Sequence, residues 1–417
     1  MNISVSADAL SADLAREKQD HQKIVDDILA KVEEISGALE EEAAPSEELG
    51  KLTDKAVDLL FSTGMPQAYI PKELGGKGLF PGEAQSFLSR VAYYDGSLAW
   101  VNTIFACAGL MVSYLPEDVS EELFSGGKRI SFSAVSNGQG TAVKTDDGWV
   151  VSGRYRYASA IKHATHVFMP AMKIIDGNPV PPPFGMGFFL IPIEAVTDRG
   201  NWDTIGLQAT GSVDIEVKDH LIPLTHEVDV MSPPKRGGRA VSGGMNVLIP
   251  TMHLGFAIGT AERLLDEMKT VGNKKPPVPG AKSIGEKDPF RIEYAHHAMK
   301  AAAARALVDD VMESVDNTLR KGEQLSTRQS TMLRAVNIHA HDVARDIAEW
   351  AFQRGGGDAL REGRLQRIIR DTLAGCQHFF ANDQNYVNVG FELMGAPDDH
   401  MWLGLFDFGP MPSAPAA

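Results

Sequence analysis

The period of the apolar residues changes twice along the 417-residue chain, and that change limits the fold more than any other feature. Over residues 15–125 the spacing is helical: Ile24, Val25, Ile28, Leu29, Val32 and Ile35 recur three and four residues apart, on one helix face. A turn-rich stretch, Ile70-Pro71-Lys72-Glu73-Leu74-Gly75-Gly76-Lys77-Gly78, interrupts it, and helical spacing resumes over 83–115. Over 129–223 the pattern shortens. Runs rich in branched and aromatic residues at 149–157, 166–172, 187–193 and 213–217 alternate with Gly, Asp, Asn and Pro clusters, which predicts a small antiparallel sheet or barrel. Beyond Gly237 helices return. Leu307, Val308, Val311, Met312, Val315 and Leu319 form one stripe, and Leu333, Val336, Val343, Ile347 and Trp350 form another. Residues 272–288, rich in Pro, Gly and Lys, have no period and read as a surface loop or a lid. The chain is too long for one ordinary core. The expectation is an α+β protein in three parts: a helical domain over 1–128, a β domain over 129–235 and a helical bundle over 236–417.

Composition closes off several classes of function. The formal net charge is -15, and phosphate neutralisation needs basic clusters, so nucleic acid is not an expected partner. The acidic runs at Glu40–Glu42 and Glu47–Glu48 read as solvated helix faces. No apolar run approaches the roughly 20 residues that span a bilayer, so no membrane segment is expected. The first residues are polar and acidic, unlike a signal peptide, and only Cys107 and Cys376 occur; a cytoplasmic location is expected. No Gly-x-Gly-x-x-Gly opens a helix after a strand, so the chain offers no nicotinamide site. Phosphate-loop and Gly-x-Ser-x-Gly patterns are absent too. His339 and His341 are two residues apart on a helix and His296 and His297 are adjacent, so neither pair shares a metal, and none is expected.

The junctions between zones carry further signals. They are Pro71-x-Glu73-x-Gly75-Gly76-x-Gly78, Asp95-Gly96-Ser97, Gly148-Trp149-Val150-Val151-Ser152-Gly153, Ile205-Gly206-Leu207-Gln208-Ala209-Thr210-Gly211-Ser212, Gly355-Gly356-Gly357 and Arg370-Asp371. Their order and spacing, over residues 20–400, resemble the acyl-CoA dehydrogenase superfamily. The resemblance implies an N-terminal helical domain, a middle antiparallel β-barrel or sheet domain and a C-terminal four-helix bundle, assembled as a homotetramer. A dehydrogenase of this type needs a carboxylate to remove the proton α to a thioester carbonyl. Counting from Arg370-Asp371, that position falls at Phe379, and the family's alternative position falls near Ile249; neither can accept a proton.

The segment His378-Phe379-Phe380-Ala381-Asn382-Asp383 is instead similar to the flavin-dependent hydroxylase branch of the superfamily, as are Arg129-Ile130-Ser131-Phe132-Ser133, Tyr157-Ala158-Ser159-Ala160 and Asp95-Gly96-Ser97-Leu98-Ala99-Trp100. That branch implies the oxygenase component of a two-component monooxygenase. It takes FMNH2 or FADH2 from a separate NAD(P)H:flavin reductase, reacts it with O2 to a flavin C4a-(hydro)peroxide, and hydroxylates a small aromatic or heteroaromatic substrate. By the resemblance, Ser159 is the hydrogen-bond partner at the flavin ring, and Ser131, Phe132, Ser133, Tyr157 and Ala158 line the cofactor. His378, titrating near neutrality, is the general base or hydrogen-bond donor. Trp100, His378 and Phe379 contact the substrate. Where several members carry Arg-Pro toward the flavin, this chain has Lys274-Lys275-Pro276, which makes Lys275 the candidate for the flavin phosphate, on a loop able to close over the site. The competing reading is an acyl-CoA dehydrogenase with FAD and a base such as Glu392.

Overall fold

The structure is a computed structural model describing residues 7–127, 129–181, 184–276, 278–395, 400–403 and 406–410. Five helices come first: α1 (Ala7–Leu49), α2 (Asp54–Thr63), α3 (Pro81–Tyr94), α4 (Gly96–Leu110) and α5 (Glu117–Phe124). The strands are β1 (Phe132–Ala134), β2 (Asn137–Lys144), β3 (Trp149–Arg156), β4 (His166–Ile175), β5 (Asn178–Pro179), β6 (Met186–Pro192), β7 (Thr197–Asp198), β8 (Ile215–Ile222) and β9 (Glu227–Val228). Helices resume with α6 (Gly238–Val241), α7 (Gly244–Thr251), α8 (Leu254–Asn273), α9 (Asp288–Arg320), α10 (Thr327–Arg354), α11 (Gly357–Leu360), α12 (Arg364–Gly375) and α13 (Gln384–Leu393). A short pair, β10 (His400–Leu403) and β11 (Phe406–Pro410), follows.

The helical zone over 83–115 breaks at Asp95. Its backbone is extended (φ -157°), and its carboxylate accepts the Leu98 amide at 2.8 Å, capping α4. Gly96–Tyr114, 19 residues, is long and apolar enough to cross a membrane, contrary to the expectation from sequence; every residue of the stretch is buried, as in a central core helix. On α1, Val25, Ile28, Val32 and Ile35 face inward as their spacing predicts.

The middle zone forms one sheet in the order β7-β8-β3-β2-β4-β6-β9, with β1 and β5 also pairing β4. It is mixed rather than antiparallel: β4 runs parallel to both β1 and β2. After β3 the chain crosses to the far side of β2, so β4 reverses relative to β3 and lies parallel to β2. β2, Asn-Gly-Gln-Gly-Thr-Ala-Val-Lys, is mostly exposed and carries no apolar alternation, which hid it in the sequence.

In the C-terminal part α8, α9, α10 and α12 pack as a bundle around Val308, Val311, Met312, Val315, Leu319, Leu333, Val336, Val343, Ile347 and Trp350. Leu307 departs from the predicted stripe and is exposed. The acidic run on α1 is more than a solvated face. Glu40 pairs with Arg263 (2.7 Å) and Arg364 (2.6 Å), and Glu47 pairs with Arg367 (2.7 Å) and Arg370, which ties α1 to α8 and α12.

Candidate active site

Four segments converge on one buried cluster: the start of α4, the turn after β3, the α7–α8 junction and the turn after α12. Close approach at the centre depends on Gly375, where a Cβ would lie 2.3 Å from the Phe256 ring and 3.2 Å from Trp100. The Arg370-Asp371 and Ile205–Ser212 motifs hold each other. Arg370 Nη1 donates to the Ile205 carbonyl, and the Leu207 amide donates to Asp371 Oδ1, both at 2.6 Å. Burial and the neighbouring Asp95 push the Asp371 carboxyl up to about 7. Gly206 is needed where these segments touch, since a Cβ there would sit 2.2 Å from the Arg370 carbonyl.

Ser159 sits in a turn whose flanking residues, Tyr157 and Ala160, both have φ 64°. The Ala158 and Ala160 amides donate to Val213 O (3.0 Å) and Thr210 O (3.3 Å), and Ser133 Oγ donates to the Ser159 carbonyl (2.7 Å). The Ser159 hydroxyl belongs to a buried chain. Trp100 Nε1 donates to Ser159 Oγ at 3.1 Å, Ser159 and Ser212 hydroxyls are 2.7 Å apart, Ser212 and Thr210 are 2.6 Å apart, and Thr210 donates to Leu207 O at 2.8 Å. Each hydroxyl has one proton. Thr210 spends its proton on Leu207, so Ser212 donates to Thr210 and Ser159 donates to Ser212. The Ser159 oxygen keeps one free lone pair.

His378 caps the short helical turn Phe379–Ala381, where its Nδ1 accepts the Phe380 amide at 3.4 Å; this places its proton on Nε2. Its ring lies 5.4 Å from Trp100, 4.7 Å from Phe379 and 4.4 Å from Phe380. Burial, then the nearby His341, pushes His378 down to about 3, so it does not titrate near neutrality as expected; this apolar enclosure keeps the imidazole neutral.

His253, which sequence reasoning missed, completes the cluster. It stacks flat on Trp100 with ring centroids 3.5 Å apart and planes at 11°, and it meets His378 edge-on at 5.1 Å. Nothing in the sequence marks it: a single His before a helix carries no spacing signal.

Trp100, Ser159 and His378 are thus brought together, with Phe379 beside His378. Ser131 and Phe132 are buried close by, but the Ser131 hydroxyl donates to the His163 carbonyl (2.7 Å) and Phe132 packs on Phe168 (5.5 Å), so both build the wall. Ala158 is buried, whereas Tyr157 is exposed beside Trp202 at 6.2 Å. Lys275 stands apart. It is exposed past the far end of the 20-residue α8, about 30 Å along the axis from His253 at 1.5 Å per residue. Within one chain, therefore, neither Lys275 nor its loop covers this cluster. Glu392 is also outside it, buried on α13 in an ion pair with Arg334 at 2.6 Å.

Residues 251–383 match the family described as acyl-CoA dehydrogenase, C-terminal domain. The chain is 27% identical over 395 residues to the flavin-dependent monooxygenase, oxygenase subunit HsaA, of Mycobacterium tuberculosis, covering 90% of this chain and 97% of that one. It is 25% identical over 345 residues to indole-3-acetate monooxygenase of Acinetobacter baumannii, covering 81% and 86%. Among solved structures, 3-HSA hydroxylase from Rhodococcus sp. RHA1 superposes with a TM-score of 0.82 at 23% identity, covering 89% of this chain and 97% of that one. The fold, with helices around a central mixed sheet, is acyl-CoA dehydrogenase-like, and the chain is similar to that superfamily. These relatives are flavin-dependent monooxygenases, and the chain is an oxidoreductase.

Proposed function

We propose that this chain is the oxygenase component of a two-component, reduced-flavin-dependent monooxygenase that hydroxylates a small aromatic ring. One observation carries the reading. Phe379 stands where a dehydrogenase would keep its carboxylate, and beside it this site has His378, with Trp100 and Ser159 close by, while Glu392 is committed to Arg334.

A bound reduced flavin would supply two electrons and the ring atom that activates O2. The residues fit such a group. The free lone pair on Ser159 suits the ring N–H of a reduced flavin, and Trp100 and Ser212 hold the hydroxyl in that orientation. Trp100, Phe256, Phe379 and Phe380 surround the two imidazoles with apolar surface, which excludes water and suits a flat ring. His378, neutral with its proton on Nε2, offers a donor to a polar substituent of the substrate.

The partners we infer are a separate NAD(P)H:flavin reductase and further copies of this chain. A homotetramer is supported by an exposed apolar face on α9, with Ile292 and Met299, beside an alanine-lined groove between α8 and α9. Two free, buried thiols, Cys107 and Cys376, support a reducing, cytoplasmic setting.

Purified protein is expected to be colourless, and to consume NADH with flavin present only after a flavin reductase is added. A yellow protein with tightly held FAD that an acyl-CoA thioester bleaches anaerobically would overturn this reading.

A further inference from the structure

Ser159 bridges two elements: Trp100 on α4 donates to its hydroxyl, and Ser212 in the 205–212 turn accepts from it. The same two elements meet again at a pair of buried carboxyls. Asp95 caps α4 by accepting the Leu98 amide at 2.8 Å, and Asp371 on α12 accepts the Leu207 amide at 2.6 Å. The turn depends on that hold, because Leu207 is left-handed (φ 53°) despite its Cβ, a conformation that persists only where the surroundings fix it. Asp371 also abuts the start of α4: a Cβ at Gly96 would lie 2.9 Å from Asp371 Cβ and 3.0 Å from its Oδ2.

Asp95 and Asp371 face one small cavity, with Tyr94, Arg263, Arg364 and Arg367 around it. Two carboxyls in such a place cannot both ionise without cations to balance them. Arg263 is held by Glu40 and Glu267, Arg364 by Glu40, and Arg367 and Arg370 by Glu47, while the Tyr94 hydroxyl donates to Glu33. Four arginines against three glutamates leave one positive charge, enough for one ionised aspartate and not for two. Asp95, at a helix N-terminus, is the better placed to carry the negative charge. Asp371 Oδ2 is buried with no hydrogen-bond partner among the described residues, so it is the oxygen that keeps a proton. Burial, and then the charge on Asp95, raises Asp371 to about 7, and burial raises Asp95 as well.

We propose that Asp371 is a positioning residue for the flavin-facing hydroxyl of Ser159: as a neutral acid it clamps the 205–212 turn to the start of α4. Once ionised it repels Asp95 across the cavity, the turn and α4 separate, and Ser159 no longer reaches both Trp100 and Ser212. An unfolded aspartate gives up its proton near pH ~4, so the clamp is fully present below that and is lost as pH rises through about 7. The role of Ser159 rests on the oxygenase reading above, whereas the clamp is a property of the chain alone.

Amide hydrogen exchange of the whole, flavin-free protein tests the clamp. It is read by mass spectrometry on peptides covering 203–212 and normalised to the intrinsic rate at each pH. Wild-type protection should fall at least tenfold from pH 6 to pH 8.5, where only about one Asp371 in thirty keeps its proton. Asp371→Asn stays neutral and keeps an acceptor for Leu207, so its protection should change less than threefold. Asp95→Asn keeps the α4 cap, removes the repelling charge and should behave the same. The proposal is overturned if wild-type protection does not depend on pH, or if either variant falls as wild type does. Stopped-flow absorbance with reduced FMN or FAD and O2 then tests the link to Ser159. The transient's lifetime in Asp371→Asn, divided by that in wild type, should rise from about one at pH 6 to at least five at pH 8.5. A ratio that stays near one overturns the positioning role. No transient from either protein at any pH, with the clamp present in exchange, defeats the oxygenase reading and leaves the clamp standing.

Discussion

Replacing Ser212 by alanine removes the middle link of the buried hydroxyl chain that runs from Trp100 to Leu207. Two hydrogen bonds disappear, at 2.7 Å to Ser159 and 2.6 Å to Thr210. Each contributes about 0.5–1.5 kcal/mol net, so the variant should lose about 1–3 kcal/mol. Ser159→Ala loses the bonds to Trp100 and Ser212 and should lose a similar amount. The Ser159–Ser212 bond is counted in both single variants. The double variant should therefore be more stable than the sum of the two effects by about 1 kcal/mol. Urea unfolding of the four proteins, followed by circular dichroism, gives the cycle. Additivity within about 0.3 kcal/mol would show that the two hydroxyls do not share a proton, and with it the argument that Ser159 keeps a free lone pair for the flavin would fail.

Other consequences can be checked separately. Ser159→Ala should shorten the oxygen-dependent flavin transient five- to tenfold, the equivalent of about 1–1.4 kcal/mol from one oriented hydrogen bond, read by stopped-flow absorbance. Glu392→Gln should cost about 3 kcal/mol by breaking a buried ion pair with Arg334, yet leave the transient's lifetime unchanged; a lost transient would put Glu392 in the chemistry. His341 is buried, with Nδ1 on the Asn337 carbonyl at 2.8 Å, and desolvation pushes it down to about 4. Between pH 6.5 and 4 the unfolded chain therefore binds a proton that the fold refuses, so this residue's contribution falls as pH falls. One such histidine lowers stability by about 1 kcal/mol from pH 6.5 to 5.5. The urea midpoint of His341→Gln should show a correspondingly smaller drop.

The apolar spacings made the long helices legible, because each buries one face: Val25, Ile28, Val32 and Ile35 on α1 and Leu333, Val336, Val343 and Ile347 on α10 all point inward. The motifs Arg370-Asp371 and Ile205–Ser212 were visible as strings, but only the fold shows that they bond to each other. What stayed hidden was non-local. β2 is largely solvent-facing, so no alternation marked it, and its parallel pairing with β4 depends on where the chain crosses. Glu40 and Glu47 looked like part of a solvated run because their arginines lie more than 200 residues away. Lys275 was placed by a motif's order, and the rigid length of α8 carries it away from the cluster. His253 could not be singled out from sequence, since its left-handed backbone and its unpaired nitrogens exist only once Trp100 and His378 are packed against it.

On the proposed function, this site binds reduced flavin and controls its reaction with oxygen. The direct measurement is to mix the protein anaerobically with dithionite-reduced FMN or FAD, add oxygenated buffer and follow absorbance in a stopped flow. The expected result is a near-ultraviolet transient that outlives the reoxidation of free flavin. Reoxidation at the rate seen in buffer, with oxidised FAD held tightly and bleached by an acyl-CoA thioester, would contradict it and make the chain a dehydrogenase.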